Sequence, residues 1–326
     1  MKKTRVTFFV LGFLFLFLWA TIGVAADFPQ KPIRLIIPYG PGGTNDVFCR
    51  VFQPAFEKAL GQRILIETIP AGNTKVGTME LMNAKPDGYM LLFISTLSFV
   101  ANYYGGIYDY KPWEKLTPIA LVVVQNSGLL EVRAESPFKT WADLVKTAKE
   151  SPGKLTCAGP GAGGFSELLV NEINEAAGIK VRYVPFAGSG PTQIALLGGH
   201  VDFRTCEIPD AVPSIRAGKT RGLALPTHER SKALPDVPTY KELGLGKLLP
   251  ICTAPRGFWA PPNVPPNLAN TIANIIEKAM KDPEFAKTAQ EQLLYDMFYL
   301  PTEKMKVWAQ DFDKLLGPKM AELQKK

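Results

Sequence analysis

Ile33-Arg34-Leu35-Ile36-Ile37 runs into Pro38-Tyr39-Gly40-Pro41-Gly42-Gly43-Thr44-Asn45-Asp46, and a helical pattern from Val47 to Leu60 follows, closed by Gly61. A β-rich run, a loop of small residues and a helix start thus come in immediate succession. Downstream, Arg63 to Ile69 reads as a second strand, Val76 to Ala84 as a helix, Pro86-Asp87-Gly88 as a turn and Tyr89 to Ile94 as a third strand. The third strand has almost no polar residue, as expected where both faces are covered. This β-α-β-α-β order predicts a parallel sheet with helices on both faces. Such sheets bind ligands outside the carboxyl ends of their strands.

The pattern restarts beyond residue 130. Trp141 to Glu150 is helical, Lys154 to Ala158 is a strand, Gly159 to Gly164 is a glycine-rich loop, and Glu167 to Ala177 is a helix stopped by Gly178. Val181 to Pro185 is the next strand; Gly188-Ser189-Gly190-Pro191 opens a short helix, which Gly198-Gly199 ends before the strand Val201 to Thr205. Ala254 to Pro266 carries five prolines and reads as a crossing back to the first unit, where the amphipathic helices Leu268 to Lys281 and Thr302 to Leu316 pack. The expected fold class is α/β with two lobes, each a mainly parallel sheet flanked by helices. Residues 27–125 with 254–326 form lobe one and residues 126–253 form lobe two, with hinges near 122–132 and 250–260.

Composition agrees with a folded body of that size: of 326 residues, 46% are apolar and 21% charged, enough for a core and too balanced for disorder. Lys2, Lys3 and Arg5 precede an apolar run ending in Val24-Ala25-Ala26, so residues 1–26 read as a secretory signal peptide cleaved before Asp27, with a membrane anchor as the other reading. Without that leader the formal charge falls from +7 to +4, with no basic block, which argues against nucleic acid. Export permits disulfides among Cys49, Cys157, Cys206 and Cys252, but their spacing names no partner, and each also reads as a small buried apolar residue. His200 and His228 read as solvated loop residues, and neither a metal site nor a cofactor is expected.

The functional signal is the recurrence of strand, small-residue loop and helix start at Gly40 to Asp46, Gly159 to Ser166 and Phe186 to Pro191. The first four N–H groups of a helix lack internal partners and carry partial positive charge, so a negative oxygen is stabilised there. A charge-assisted hydrogen bond of this kind contributes about 1.5–3 kcal/mol, and two or three together support micromolar binding. None of the loops fits a nucleotide motif: the first lacks G-x-G-x-x-G, and the second lacks the Lys-Ser/Thr of a P-loop. No G-x-S-x-G elbow or catalytic triad is visible, so the chain reads as no enzyme.

The ordered series Pro38-Tyr39-Gly40-Pro41-Gly42-Gly43-Thr44-Asn45-Asp46, Lys85-Pro86-Asp87-Gly88-Tyr89, Ser136-Pro137-Phe138-Lys139-Thr140, Val184-Pro185-Phe186-Ala187-Gly188, Leu197-Gly198-Gly199-His200-Val201-Asp202 and Leu234-Pro235-Asp236-Val237-Pro238-Thr239 resembles the Bug-type solute receptors of tripartite tricarboxylate transporters. The resemblance implies a two-lobe periplasmic binding protein of type II-like fold. It would close an interlobe cleft on a small carboxylate, deliver it to a membrane permease, and work as a monomer in the periplasm. Carried over residue by residue, Tyr39, Gly42, Gly43, Thr44 and Asp46 line lobe one with Ser95, Thr96 and Ser98, and lobe two contributes Ala162, Gly163, Gly164, Phe165, Ser166, Phe186, Ala187 and Gly188. Asp46 either touches ligand or caps its own helix, and both readings stand.

The chain departs from the family pattern at Pro70-Ala71-Gly72-Asn73-Thr74-Lys75, where a glycine-rich turn is usual, and at Glu167, where a histidine is usual. Glu207, after the third strand of lobe two, is a further candidate. An acidic group beside the cleft repels a carboxylate, so Glu167 and Glu207 either recognise an amine or amide on the ligand, or serve a helix terminus and face water respectively. Two other classes remain open: an exported enzyme using Asp46, Glu167 or Glu207 as acid and base, and a receptor that signals to a sensor protein.

Overall fold

Ile33–Ile37 (β1) buries four aliphatic side chains and lies between two parallel neighbours, Ile64–Thr68 (β2) and Met90–Ser95 (β3). The computed structural model describes residues 28–291, 294 and 297–325, so the leader expected over 1–26 lies outside the described residues. The crossovers are the helices Thr44–Leu60 (α1) and Lys75–Met82 (α2). Gly61 ends α1 with φ 73°, a left-handed position that glycine takes without strain, and its N–H reaches the carbonyl of Glu57. One face of α1 carries Phe48, Phe52 and Phe56, which pack with Phe93 and Phe258; the Phe48 and Phe93 rings stack 4.8 Å apart.

After Thr96–Tyr104 (α3) and Pro112–Lys115 (α4), the long strand Thr117–Arg133 (β4) crosses the whole molecule. The second lobe then follows as Trp141–Glu150 (α5), Thr156–Pro160 (β5), Phe165–Ala177 (α6), Arg182–Phe186 (β6), Ser189–Leu197 (α7), Phe203–Glu207 (β7), Ile208–Arg216 (α8) and Thr220–Ala224 (β8). The chain returns through Thr253–Ala260 (β9) to Pro266–Met280 (α9), Pro283–Glu291 (α10), Met297–Pro301 (β10) and Thr302–Leu323 (α11). One ten-stranded sheet runs through both lobes in the order β2-β1-β3-β9-β4-β7-β5-β6, with β8 and β10 also on β4. The βα units form parallel pairs, as expected. The antiparallel pairs that make the sheet mixed come from β4 and β9, which carry the chain between lobes.

Two sequence expectations need correction. Ala254 to Pro266 was expected as a proline-rich crossing, yet its first half is the central strand β9. Pro255 is tolerated because the ladder with β3 begins only at Arg256, opposite Ser95, so its missing N–H costs no bond there. The last helix also runs beyond Leu316 to Leu323, where Lys319 pairs with Glu172 of α6 at 2.7 Å and Gln324 donates to the Gly163 carbonyl at 2.8 Å. The four cysteines are buried and free, as small apolar residues of the core.

β4 changes partner abruptly: Asn126 pairs with Thr253 of β9, and Ser127 pairs with Glu207 of β7. The register shifts just beyond, where Gly128 has φ 120° and a Cβ would fall 2.6 Å from Leu169 Cδ2. Both the dihedral and the contact demand glycine. Gly128→Ala is expected to cost about 1–3 kcal/mol of stability, read as a lower urea midpoint; an unchanged midpoint would show that the bulge accepts a side chain.

Candidate functional site

Gly42 and Gly163 occupy equivalent places at the carboxyl ends of β1 and β5. Each has a left-handed φ, 75° and 66°, and each precedes an extended glycine, Gly43 or Gly164, that caps a helix. The acid at the third helical position then folds back: Asp46 accepts the Gly42 N–H and Glu167 accepts the Gly163 N–H, both at 2.8 Å. Asp46 also pairs with Arg50 at 2.9 Å. So Asp46 and Glu167 each brace their own loop at a helix start. The Gly42 and Gly163 amides, expected to face ligand, are thereby engaged. The capping glycines and the first helical turns are left to offer donors.

Other expected residues sort by environment. Tyr39 donates to Ser98 at 2.7 Å, so these two hydroxyls satisfy each other, and burial pushes the phenol up to about 12. Ser166 is buried beside Tyr183, whose hydroxyl holds the Gly161 carbonyl at 2.6 Å. Phe165 turns into the main core. Phe186 packs beside Ala158 and Leu196, and its carbonyl accepts the Gly161 N–H at 2.9 Å, tying two loops together. Ala162 and Ala187 are exposed, and Gly188 caps α7. Ser95 and Thr96 are buried with hydroxyls that meet no partner.

The lobes touch through the same loop ends. Thr44 Oγ1 donates to Asp210 Oδ1 at 3.4 Å, and Asp210 also accepts from Ser189. Glu207 is not turned to water: its Oε1 receives the Arg256 guanidinium from the other lobe, and its Oε2 is buried without a partner. Burial pushes the Glu207 carboxyl above its ordinary value, against the opposing pull of Arg256. Arg256 also donates to Asn45 Oδ1 at 3.1 Å.

Ser95 lies opposite Arg256, Gln125 opposite Ala254 and Ser127 opposite Glu207 in the ladders. Paired residues project to the same side and so do residues two apart, which places Ser95, Gln125, Glu207 and Arg256 on one face of the sheet at the junction of the lobes. The sequence reading missed Asn45, Gln125, Ser189, Asp210 and Arg256. A lone arginine inside an apolar run was the one visible signal, and the surrounding prolines hid it.

Beneath lobe two's share of the site lies Arg204, fully buried. Its Nε meets Glu131, while its other nitrogens reach the Ser189 carbonyl and Thr192 Oγ1 at 3.3 Å and the Asp210 carbonyl at 3.4 Å. One guanidinium thus fixes the start of both α7 and α8. Among the described residues no group of three His, Cys, Asp or Glu could hold a metal, His200 and His228 are exposed, and no helix is long and apolar enough to cross a membrane.

Known proteins share this architecture. A family model described as tripartite tricarboxylate transporter family receptor matches residues 48–322. A UPF0065 protein of Cupriavidus necator is 32% identical over 277 residues, covering 82% of this chain and 83% of its own length. Protein BugT of Bordetella pertussis is 31% identical over 238 residues, covering 69% and 71%. The structure of periplasmic binding protein BugD matches with a TM-score of 0.77 at 25% identity, over 91% of this chain and 98% of that one. MatC from Rhodopseudomonas palustris with bound malate matches with a TM-score of 0.74 at 26% identity, over 91% and 99%.

Proposed function

Since the chain belongs to the tripartite tricarboxylate transporter receptor family, we propose that it is an exported solute receptor that captures a small organic acid between its lobes and passes it to a membrane permease. Lobe one is residues 27–125 with 254–326 and lobe two is residues 126–253, flexing where β4 and the segment before β9 cross between them. The observations that support this reading are an acid-braced glycine loop at a helix start in each lobe, and the contacts of Thr44 with Asp210 and of Arg256 with Glu207 that join the lobes beside the first of them. MatC holding malate in a matching fold supports a carboxylate as the ligand class. Gly43, Thr44, Ser95 and Thr96 would meet it from lobe one, and Ala162, Gly164, Ala187 and Gly188 from lobe two.

The reading of a non-enzyme rests on acids that are already engaged: Asp46 and Glu167 bond their own loops and Glu207 pairs with Arg256, so no two of them face each other as an acid and base pair would. A thermal-shift screen of small organic acids, including malate, should raise the melting point, since a ligand that binds only the folded state stabilises it. Mass spectrometry of the released ligand should return it unchanged. A converted product would replace receptor by enzyme. Thr44→Ala is expected to weaken the best acid by about 1–2 kcal/mol without unfolding the protein, and equal affinities by titration calorimetry would remove Thr44 from the site.

A further inference from the structure

Four buried polar atoms at the lobe junction are left without partners: Ser95 Oγ, Thr96 Oγ1, Gln125 Oε1 and Glu207 Oε2. Two of these, on Gln125 and Glu207, are pure acceptors, and a carboxylate cannot satisfy either of them. Gln125 is 1% exposed, and it shares its sheet face with Glu207 and Arg256. Arg256 fixes Glu207 through Oε1 and leaves Oε2 buried and unpaired on that side of the sheet. Buried acceptors at a binding junction that lack a donor in the protein call for one from the ligand, because leaving such groups unpaired is costly.

We propose that the ligand carries an ammonium or carboxamide group beside its carboxylate, and that Glu207 and Gln125 receive those N–H donors while the helix N-termini receive the carboxylate. The inference rests on the carboxylate-receptor reading and narrows it. Glu207 then acts as the specificity residue: it welcomes a donor and repels a second carboxylate placed at the same point.

The test is titration calorimetry on matched pairs: succinate against L-aspartate, succinate against succinamate, and glutarate against L-glutamate. The wild-type chain should bind at least one donor-bearing member tenfold or more tightly than its partner. In Glu207→Gln the amide oxygen stays with Arg256 and the amide nitrogen takes the place of Oε2, so donor meets donor and the preference should vanish or reverse. Gln125→Met removes the second acceptor and should narrow the preference for the donor-bearing member of each pair. If Glu207→Gln does not fold, as judged by its melting curve, that second variant decides. Plain dicarboxylates binding as tightly as their donor-bearing partners in the wild type, or the variants weakening all members alike, would overturn the inference and leave the receptor reading standing. Binding by none of these acids, nor by any acid in the wider screen, would overturn the receptor reading itself.

Discussion

Arg204→Met is expected to lower the unfolding free energy by about 3–5 kcal/mol, since it leaves a carboxylate buried without its cation. Arg204 and Glu131 are fully buried, and the guanidinium makes four hydrogen bonds to Glu131, the Ser189 carbonyl, Thr192 and the Asp210 carbonyl. Once the arginine is gone, Glu131 Oε1 keeps its bond from Thr220, but Oε2 is left with only the weak Cys206 thiol donor at 3.7 Å. Methionine fills much of the volume, so the loss reports charge and bonding more than a cavity. The double variant with Glu131→Met should recover most of the loss, because replacing both members of a buried pair by apolar groups is often neutral. Urea unfolding followed by circular dichroism measures both. A single variant within about 1 kcal/mol of wild type would mean that the pair is poorly coupled to folding.

Arg256→Met should have the second large effect, on binding more than on folding. Arg256 is buried and joins Asn45 of lobe one to Glu207 of lobe two. Truncating one partner of a buried charge pair at an interface costs about 2–5 kcal/mol, so affinity for the best organic acid should fall by about thirtyfold or more. A fall below threefold would show that the arginine is no anchor.

The pH behaviour gives a second signature. The Glu207 carboxyl already titrates above its ordinary value because burial outweighs the pull of Arg256. A carboxyl raised in the folded state favours folding most when protonated, so its contribution is full below the unfolded value and is lost as pH rises through the folded one. Without the arginine that value rises further. The variant should therefore gain stability relative to wild type as pH falls from neutrality toward the ordinary glutamate range, and a constant difference would remove Glu207 from the account.

The elements of both βα repeats were legible because local chemistry decides them: β1 is an aliphatic run, and Gly61 and Gly178 stop their helices in the left-handed conformation. The glycine loops were legible for the same reason. What local pattern could not carry was pairing. Nothing within β4 announces that Asn126 and Ser127 serve different neighbours, and β9 was hidden because prolines near a strand read as loop unless the far ladder is known. Asp46 illustrates the limit at the site. Both of its roles were visible, but the bond it accepts from the Gly42 N–H at 2.8 Å, which braces its own loop, was not. Arg256 and Glu207, 49 positions apart, meet only once the sheet is assembled.

The continuous passage of β4 from one lobe to the other also bears on how the lobes can move. Two bodies on a loose tether drift apart freely, whereas two bodies sharing a hydrogen-bonded ribbon resist both separation and rotation. Their motion is confined to flexing that ribbon, where the Tyr240 hydroxyl holds the Gly128 carbonyl and the Ser127 N–H bonds the Cys252 carbonyl. The two halves then behave like the arms of a bent leaf spring, with the sheet's own twist setting the angle at which they rest.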